Sequence, residues 1–165
     1  ANTSSVKVGI TRETQLPTRW IDQGATQAKP IARVQTRYFS GLLEVLLAKE
    51  VGDRTAWQTM LKGNGADQDL EHIRQQLMSS CAQGIAHLQL QHGEAAFELL
   101  EDAPETRISY PVLSWPEKVK AHNFDKQAVV EGALMGIKGQ YLMLDTGVLN
   151  MRKFGGYEVE IKVAA

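Results

Sequence analysis

Arg19 and Glu44 are the two charged side chains whose type and setting in this sequence suit work on a phosphate. Arginine offers an oxyanion a planar, permanently charged fork of N–H donors. The Arg19-Trp20 pair comes eight residues after Val6-Lys7-Val8-Gly9-Ile10-Thr11, which places the guanidinium against the end of an expected strand. On a helical wheel at about 100° per residue, Arg37, Gly41, Glu44 and Ala48 share one face. The small Gly41 and Ala48 leave a shallow trough around Glu44, where a solvated face would carry longer side chains. Plainer roles stand beside these: Arg19 can pair with Asp22 or Glu13, and Glu44 with Arg37, each worth under about 1 kcal/mol at a surface.

The elements that must hold these groups follow from periodicity. Val6, Val8 and Ile10 alternate with Lys7 and Gly9, the period of a half-buried strand over residues 6–11. Leu16-Pro17-Thr18 then leads into a short helix that opens near Arg19 and stops at Gly24. Residues 31–34 read as a second strand. Thr36 caps an amphipathic helix reaching about Val51, with Phe39, Leu42, Leu43, Leu46 and Leu47 as its apolar stripe. A helical turn at 55–61 turns Trp57 and Met60 inward, and residues 62–67 (KGNGAD) form a turn-rich break. A helix is expected over 69–83, burying Leu70, Ile73, Leu77 and Cys81. Residues 85–101 fit either a strand or a continuing helix.

Glu101-Asp102-Ala103-Pro104 is the best boundary, dividing an α/β domain at 1–104 from a section at 105–165. Short strands at 108–113, 129–134, 140–144, 147–152 and 157–163 point to a small β-barrel. The expected class is therefore α+β. In that barrel, Lys138 and Arg152, with Lys153 and Tyr157 nearby, can meet single-stranded nucleic acid. The plainer reading is that Gly136 and Gly139 only serve hairpin geometry.

Charge is uneven although the net value is −1: residues 1–62 carry +4, residues 63–105 carry −7 and residues 106–165 carry +2. A basic opening section suits an anionic partner. The single Cys81 excludes an internal disulfide and a cysteine-based zinc site, and His72, His87, His92 and His122 lack metal-ligand spacing. No apolar run approaches the roughly 18 residues of a membrane span. Ala-Asn-Thr-Ser-Ser at the start has neither the basic nor the apolar part of a signal peptide. A cytoplasmic setting is expected.

The block VKVGITRETQLPTRWIDQGA, with Arg37-Tyr38 and residues 41–44 after it, resembles the opening of an uncharacterised bacterial family. GIKGQYLMLDTGVLNMRKFGGYEVEI resembles that family's closing block. The family is itself a domain of unknown function, and its members typically carry a cysteine-rich, zinc-ribbon-like segment ahead of this region. More distantly, Lys7 to Thr11, Arg19 and Glu44 are similar to the second strand motif, helix arginine and metal-binding glutamate of the GIY-YIG nuclease superfamily. That resemblance implies a GIY-YIG-like α/β domain, Mg²⁺ on Glu44, Arg19 on the phosphate and a tyrosine that orients or activates water. Lys7 stands where the superfamily has a tyrosine, and its first tyrosine-bearing strand would lie before Ala1. Tyr38 or Tyr110 would have to be recruited, and Asn64 would answer to the late asparagine. Such a set suits phosphodiester hydrolysis, in which a cation and a metal neutralise developing charge.

The expectation is a nucleic-acid-associated protein, in its active form a Mg²⁺-dependent endonuclease using Arg19, Glu44 and Tyr38. Lys7, Thr11, Arg12, Arg37, Lys138 and Arg152 are the expected binding residues. The alternative is a noncatalytic nucleic-acid-binding or protein-interaction module with a degenerate nuclease-like site.

Overall fold

The computed structural model describes residues 1–51 and 55–163, and its class is α+β. Thr18–Asp22 forms α1, Arg37–Leu47 forms α2, Trp57–Met60 forms α3, Leu70–Ser80 forms α4 and Ala82–His92 forms α5. The strands are β1 (Gln27–Ala28), β2 (Ala32–Val34), β3 (Phe97–Leu99), β4 (Thr106–Arg107), β5 (Leu134–Lys138), β6 (Tyr141–Leu144) and β7 (Gly147–Asn150). They pair antiparallel as β1 with β4, β2 with β3, and the meander β5-β6-β7. Among the described residues no helix is long and apolar enough to cross a membrane.

Helix α2 starts where the Thr36 side chain accepts the Phe39 N–H at 3.2 Å, and α4 starts where Asp69 accepts the His72 N–H at 2.9 Å. The apolar stripe of α2 then buries Leu43 and Leu47 against Leu77, Cys81, Ile85, Ala96 and Phe97. Fully burying one such side chain contributes about 1.5–3 kcal/mol. Helix α4 does not run on as expected: it breaks at Cys81, and α5 begins there. The ambiguous stretch resolves as helix to His92 and then as β3, the partner of β2.

The strand expected over residues 6–11 is absent. Lys7 N–H donates to the Ala1 carbonyl at 2.9 Å, closing the first residues into a loop, and it is Asn2 that bridges to Gln27. With that edge of β1 taken, residues 8–12 join no strand ladder among the described residues and Ile10 is left exposed.

The barrel is also corrected: the described residues form an open three-stranded meander. Closure requires the outermost strands to find each other. Here the outer edge of β5 meets Pro111 and Val112, and that of β7 meets residues 120–122 through a bridge from Ala121 to Val148. Residues 108–113 contribute a single bridge, and residues 157–163 pair with nothing described.

The boundary at 104 does not separate two cores. Strand β4 pairs across it with β1, and a second apolar cluster joins Met60 and Leu61 to Tyr141, Met143 and Val148. Trp57 seals that cluster by stacking on Tyr141, centroids 5.6 Å apart and planes 5° from parallel.

Candidate functional site

Arg19 is carried by α1, which the meander holds in place. The turn after β5 presses Gly139 so closely on α1 that a Cβ there would lie 2.9 Å from the Asp22 carbonyl oxygen and 3.1 Å from the Gly24 nitrogen. Tyr110 donates its hydroxyl to the carbonyls of Ile21 and Ala25, at 3.1 and 2.9 Å. Glu44 and Tyr38 belong instead to α2, in the other apolar cluster. Six residues apart on a helix, they lie about 9 Å apart along the axis and about 120° apart around it. Tyr38 is 65% exposed, edge-on to the His92 ring. No hydrogen bond or ion pair joins Arg19, Tyr38 and Glu44 among the described residues. A groove of about 590 Å³ over α4 and one of about 270 Å³ beside β2 contain none of the three.

The plainer pairings are not made either. Glu13 goes to Arg33 at 2.9 Å and Asp22 to Arg152 at 3.7 Å, so neither holds Arg19. Arg37, at the start of α2, does not reach Glu44. Around Gly41 the space is open. A magnesium ion on Glu44 would find no dense ligand set, because no group of three or more His, Cys, Asp or Glu side chains gathers among the described residues.

Arginine partners divide the chain. Arg33 is shared by Glu13 and Glu98, Arg74 is bidentate on Glu71, Arg107 holds Asp67, and Arg152 faces Asp22. Arg12, Arg19 and Arg37 have no acidic partner among the described residues. Arg12 and Arg37 are exposed, as is Thr11, while Arg19 and Lys7 are half-buried. The Glu13–Arg33 pair ties the segment bearing Arg12 to β2, which leads within three residues to Arg37.

Lys138, expected at an exposed turn, is fully buried instead. Its ammonium donates to the Gly63 carbonyl at 2.8 Å and lies 5.2 Å from the Trp115 ring centre and 5.5 Å from that of Tyr110. Burial lowers its pKa to about 8. It is one of a set that local pattern does not announce. Among the described residues, Asn2, Thr3, Thr26, Gln27 and Lys138 are the buried polar ones, and four of these five side chains donate to carbonyls of residues 63–68. The one sequence signal for them was the glycine-rich break at 62–67.

Beside this geometry, comparison with known proteins adds one match. A family model described as a protein of unknown function (DUF2797) matches residues 1–159. No curated protein and no solved structure matches the chain.

Proposed function

We propose that this chain, which belongs to the DUF2797 family, is a nucleic-acid-binding module that holds phosphate backbone without cutting it. The observation that supports the reading is the segregation of partnerless arginines: Arg12, Arg19 and Arg37 all fall in the basic opening section, while the other described arginines are paired. A guanidinium with no carboxylate on it keeps its full charge and all its donors for a phosphate. Exposed Tyr38 beside Arg37 adds an aromatic face on which a base can stack.

The distant GIY-YIG likeness offers a second reading, a Mg²⁺-dependent phosphodiesterase on the same residues. It needs Arg19, Tyr38 and Glu44 around one hollow, and Arg19 on α1, with Tyr38 and Glu44 about 120° apart around α2, argues against it. Fluorescence anisotropy with single- and double-stranded DNA and RNA across a salt series tests the proposal. Three phosphate contacts give a log–log slope of about −2 to −3. Absence of salt-dependent binding to every probe would overturn it. Cleavage with Mg²⁺ or Mn²⁺ that disappears in Glu44→Ala would replace it with the enzymatic reading.

A further inference from the structure

Asn64 and Gly65 form the only Asn-Gly step in the chain. Both residues are exposed and lie outside every helix and strand. The Asn64 side chain makes no hydrogen bond among the described residues, and neither does the Gly65 N–H. A Cβ built on Gly65 would meet nothing within 4 Å, so no other part of the fold crowds the step.

The other three asparagines differ on each count. Asn2 is buried, and its Nδ2 donates to Gln27 Oε1 and to the Ala66 carbonyl, both at 3.0 Å. Asn123 Oδ1 accepts the Asp125 N–H at 2.9 Å, and Asn150 Oδ1 accepts the Lys153 N–H at 3.0 Å. They are followed by Thr3, Phe124 and Met151, whose side chains obstruct approach of the next backbone nitrogen.

An asparagine amide and the following backbone nitrogen stand in position to close a five-membered ring, and glycine obstructs that closure least. Hydroxide takes the Gly65 amide proton and the nitrogen attacks Cγ of Asn64. The N–Cγ bond forms, the Cγ–Nδ2 bond breaks, and ammonia leaves with a proton supplied by water. One water then opens the ring. Addition at Cγ gives aspartate, whereas addition at the main-chain carbonyl carbon gives isoaspartate, in which the backbone runs on through Cγ. The balance is one ammonia lost and one water gained, about 1 Da, with no oxidant or cofactor.

Isoaspartate matters here because of how the loop is held. The Gly63 carbonyl accepts from buried Lys138 Nζ at 2.8 Å and the Ala66 carbonyl from buried Asn2 Nδ2 at 3.0 Å, one anchor on each side of the Asn-Gly step. An isoaspartyl link adds one carbon to the backbone between them. It also turns the Asn64 carbonyl, which accepts from Thr26 Oγ1 at 3.4 Å, into a carboxylate off the main chain. Two buried donors fixed in the core cannot both follow.

We propose that Asn64 is a self-modification site, which cyclises onto Gly65 and ages to isoaspartate, and that this product unfastens the loop from Lys138 and Asn2. The proposal does not rest on the nucleic-acid reading above.

The test incubates the full chain at physiological temperature and neutral pH, beside a synthetic peptide of residues 60–69. Peptide mapping by mass spectrometry, with fragmentation that tells isoaspartate from aspartate, follows both. The Asn64 amide should be lost at a rate no more than about tenfold below the peptide's, with Asn2, Asn123 and Asn150 intact. Asn64→Gln, whose ring would be one atom larger, should gain no mass at position 64 over the same period. The isoaspartyl fraction should melt about 2–4 °C below fresh protein. Freshly prepared Asn64→Asp, with the same charge and an unlengthened backbone, should melt within about 1 °C of it. An Asn64 amide that survives while the peptide's is lost, or equal loss at Asn123 and Asn150, would overturn the site. An isoaspartyl fraction that melts with the fresh protein would overturn the unfastening.

Discussion

The ammonium of Lys138 sits 2.8 Å from the carbonyl oxygen of Gly63, seventy-five positions earlier in the chain. That bond fastens the glycine-rich loop to β5 through a fully buried charge. Burial disfavours the charged form, so the folded pKa lies near 8, against 10.5 for an unburied lysine.

The sign of the resulting pH dependence follows from proton counts. Between pH 8 and 10.5 the unfolded chain binds the Lys138 proton more tightly than the folded one, so stability rises with pH in that window. The gain has a ceiling of about 3 kcal/mol. Burial raises the pKa of the Cys81 thiol and of the Tyr110 hydroxyl, and both oppose the gain at the alkaline end. Urea denaturation at pH 7.5 and 9.5 should show wild type more stable at the higher pH, and Lys138→Met should remove most of that difference.

Glu71 carries the opposite dependence. Lys29 at 2.6 Å and bidentate Arg74 at 2.7 Å hold its carboxylate, and hydrogen bonds from Arg74 and then Lys29 lower its pKa to about 2. Its contribution is complete above pH 4.5 and is lost as pH falls toward 2. Acid unfolding followed by circular dichroism should show Glu71→Gln less stable than wild type at pH 6, with the gap closing near pH 2.

Helices α2 and α4 were legible because their signals are local, whereas α5 was not told from a strand. Thr36 and Asp69 each bond an N–H three residues on, and the apolar spacing of α2 and α4 needs no partner to be read. Strand pairing was not legible, because it is decided at a distance. The alternation at 6–10 looked like a strand, yet Asn2 took the edge of β1. In β5 a period of two would bury Met135 and Ile137, but the register shift between Leu134 and Gly136 buries Gly136 and Lys138 instead. Val112 packs against Gly136 so closely that a Cβ there would lie 2.9 Å from its Cα. In the candidate site, the arginines were visible as residue types, but their lack of partners depended on where Glu13 and Asp22 went. The braces on residues 63–68 join positions 38 to 75 apart, beyond any local pattern.

Gly139 should resist replacement. Its φ of +59° disfavours any side chain, and a Cβ would press on the backbone at Asp22 and Gly24. Gly139→Ala therefore combines strain with displacement of α1, and should cost about 1–3 kcal/mol in chemical denaturation. Gly9→Ala, where the space is open, should stay within about 0.5 kcal/mol. If Gly139→Ala matched Gly9→Ala, α1 would not be held by the turn, and the account of how Arg19 is positioned would fail.

On the proposed binding reading, pairing decides which arginines are left to meet phosphate. Arg19 is held by α1 against the meander and Arg37 by α2 in the helical layer, so their contributions to binding should add. Arg19→Gln and Arg37→Gln should each flatten the log–log salt slope by about 0.9 on duplex, or about 0.7 on a single strand. Arg33 is an exposed cation like Arg37, but its guanidinium is shared by Glu13 at 2.9 Å and Glu98 at 3.2 Å. A phosphate would have to displace a carboxylate there, so Arg33→Gln should change the slope by much less. Its pKa is raised by those two carboxylates, so it keeps its charge across any accessible pH and the comparison is one of partners rather than of protonation. A loss from Arg33→Gln equal to that from Arg37→Gln would mean that acid pairing does not govern phosphate contact, and the segregation of arginines would no longer support a binding face.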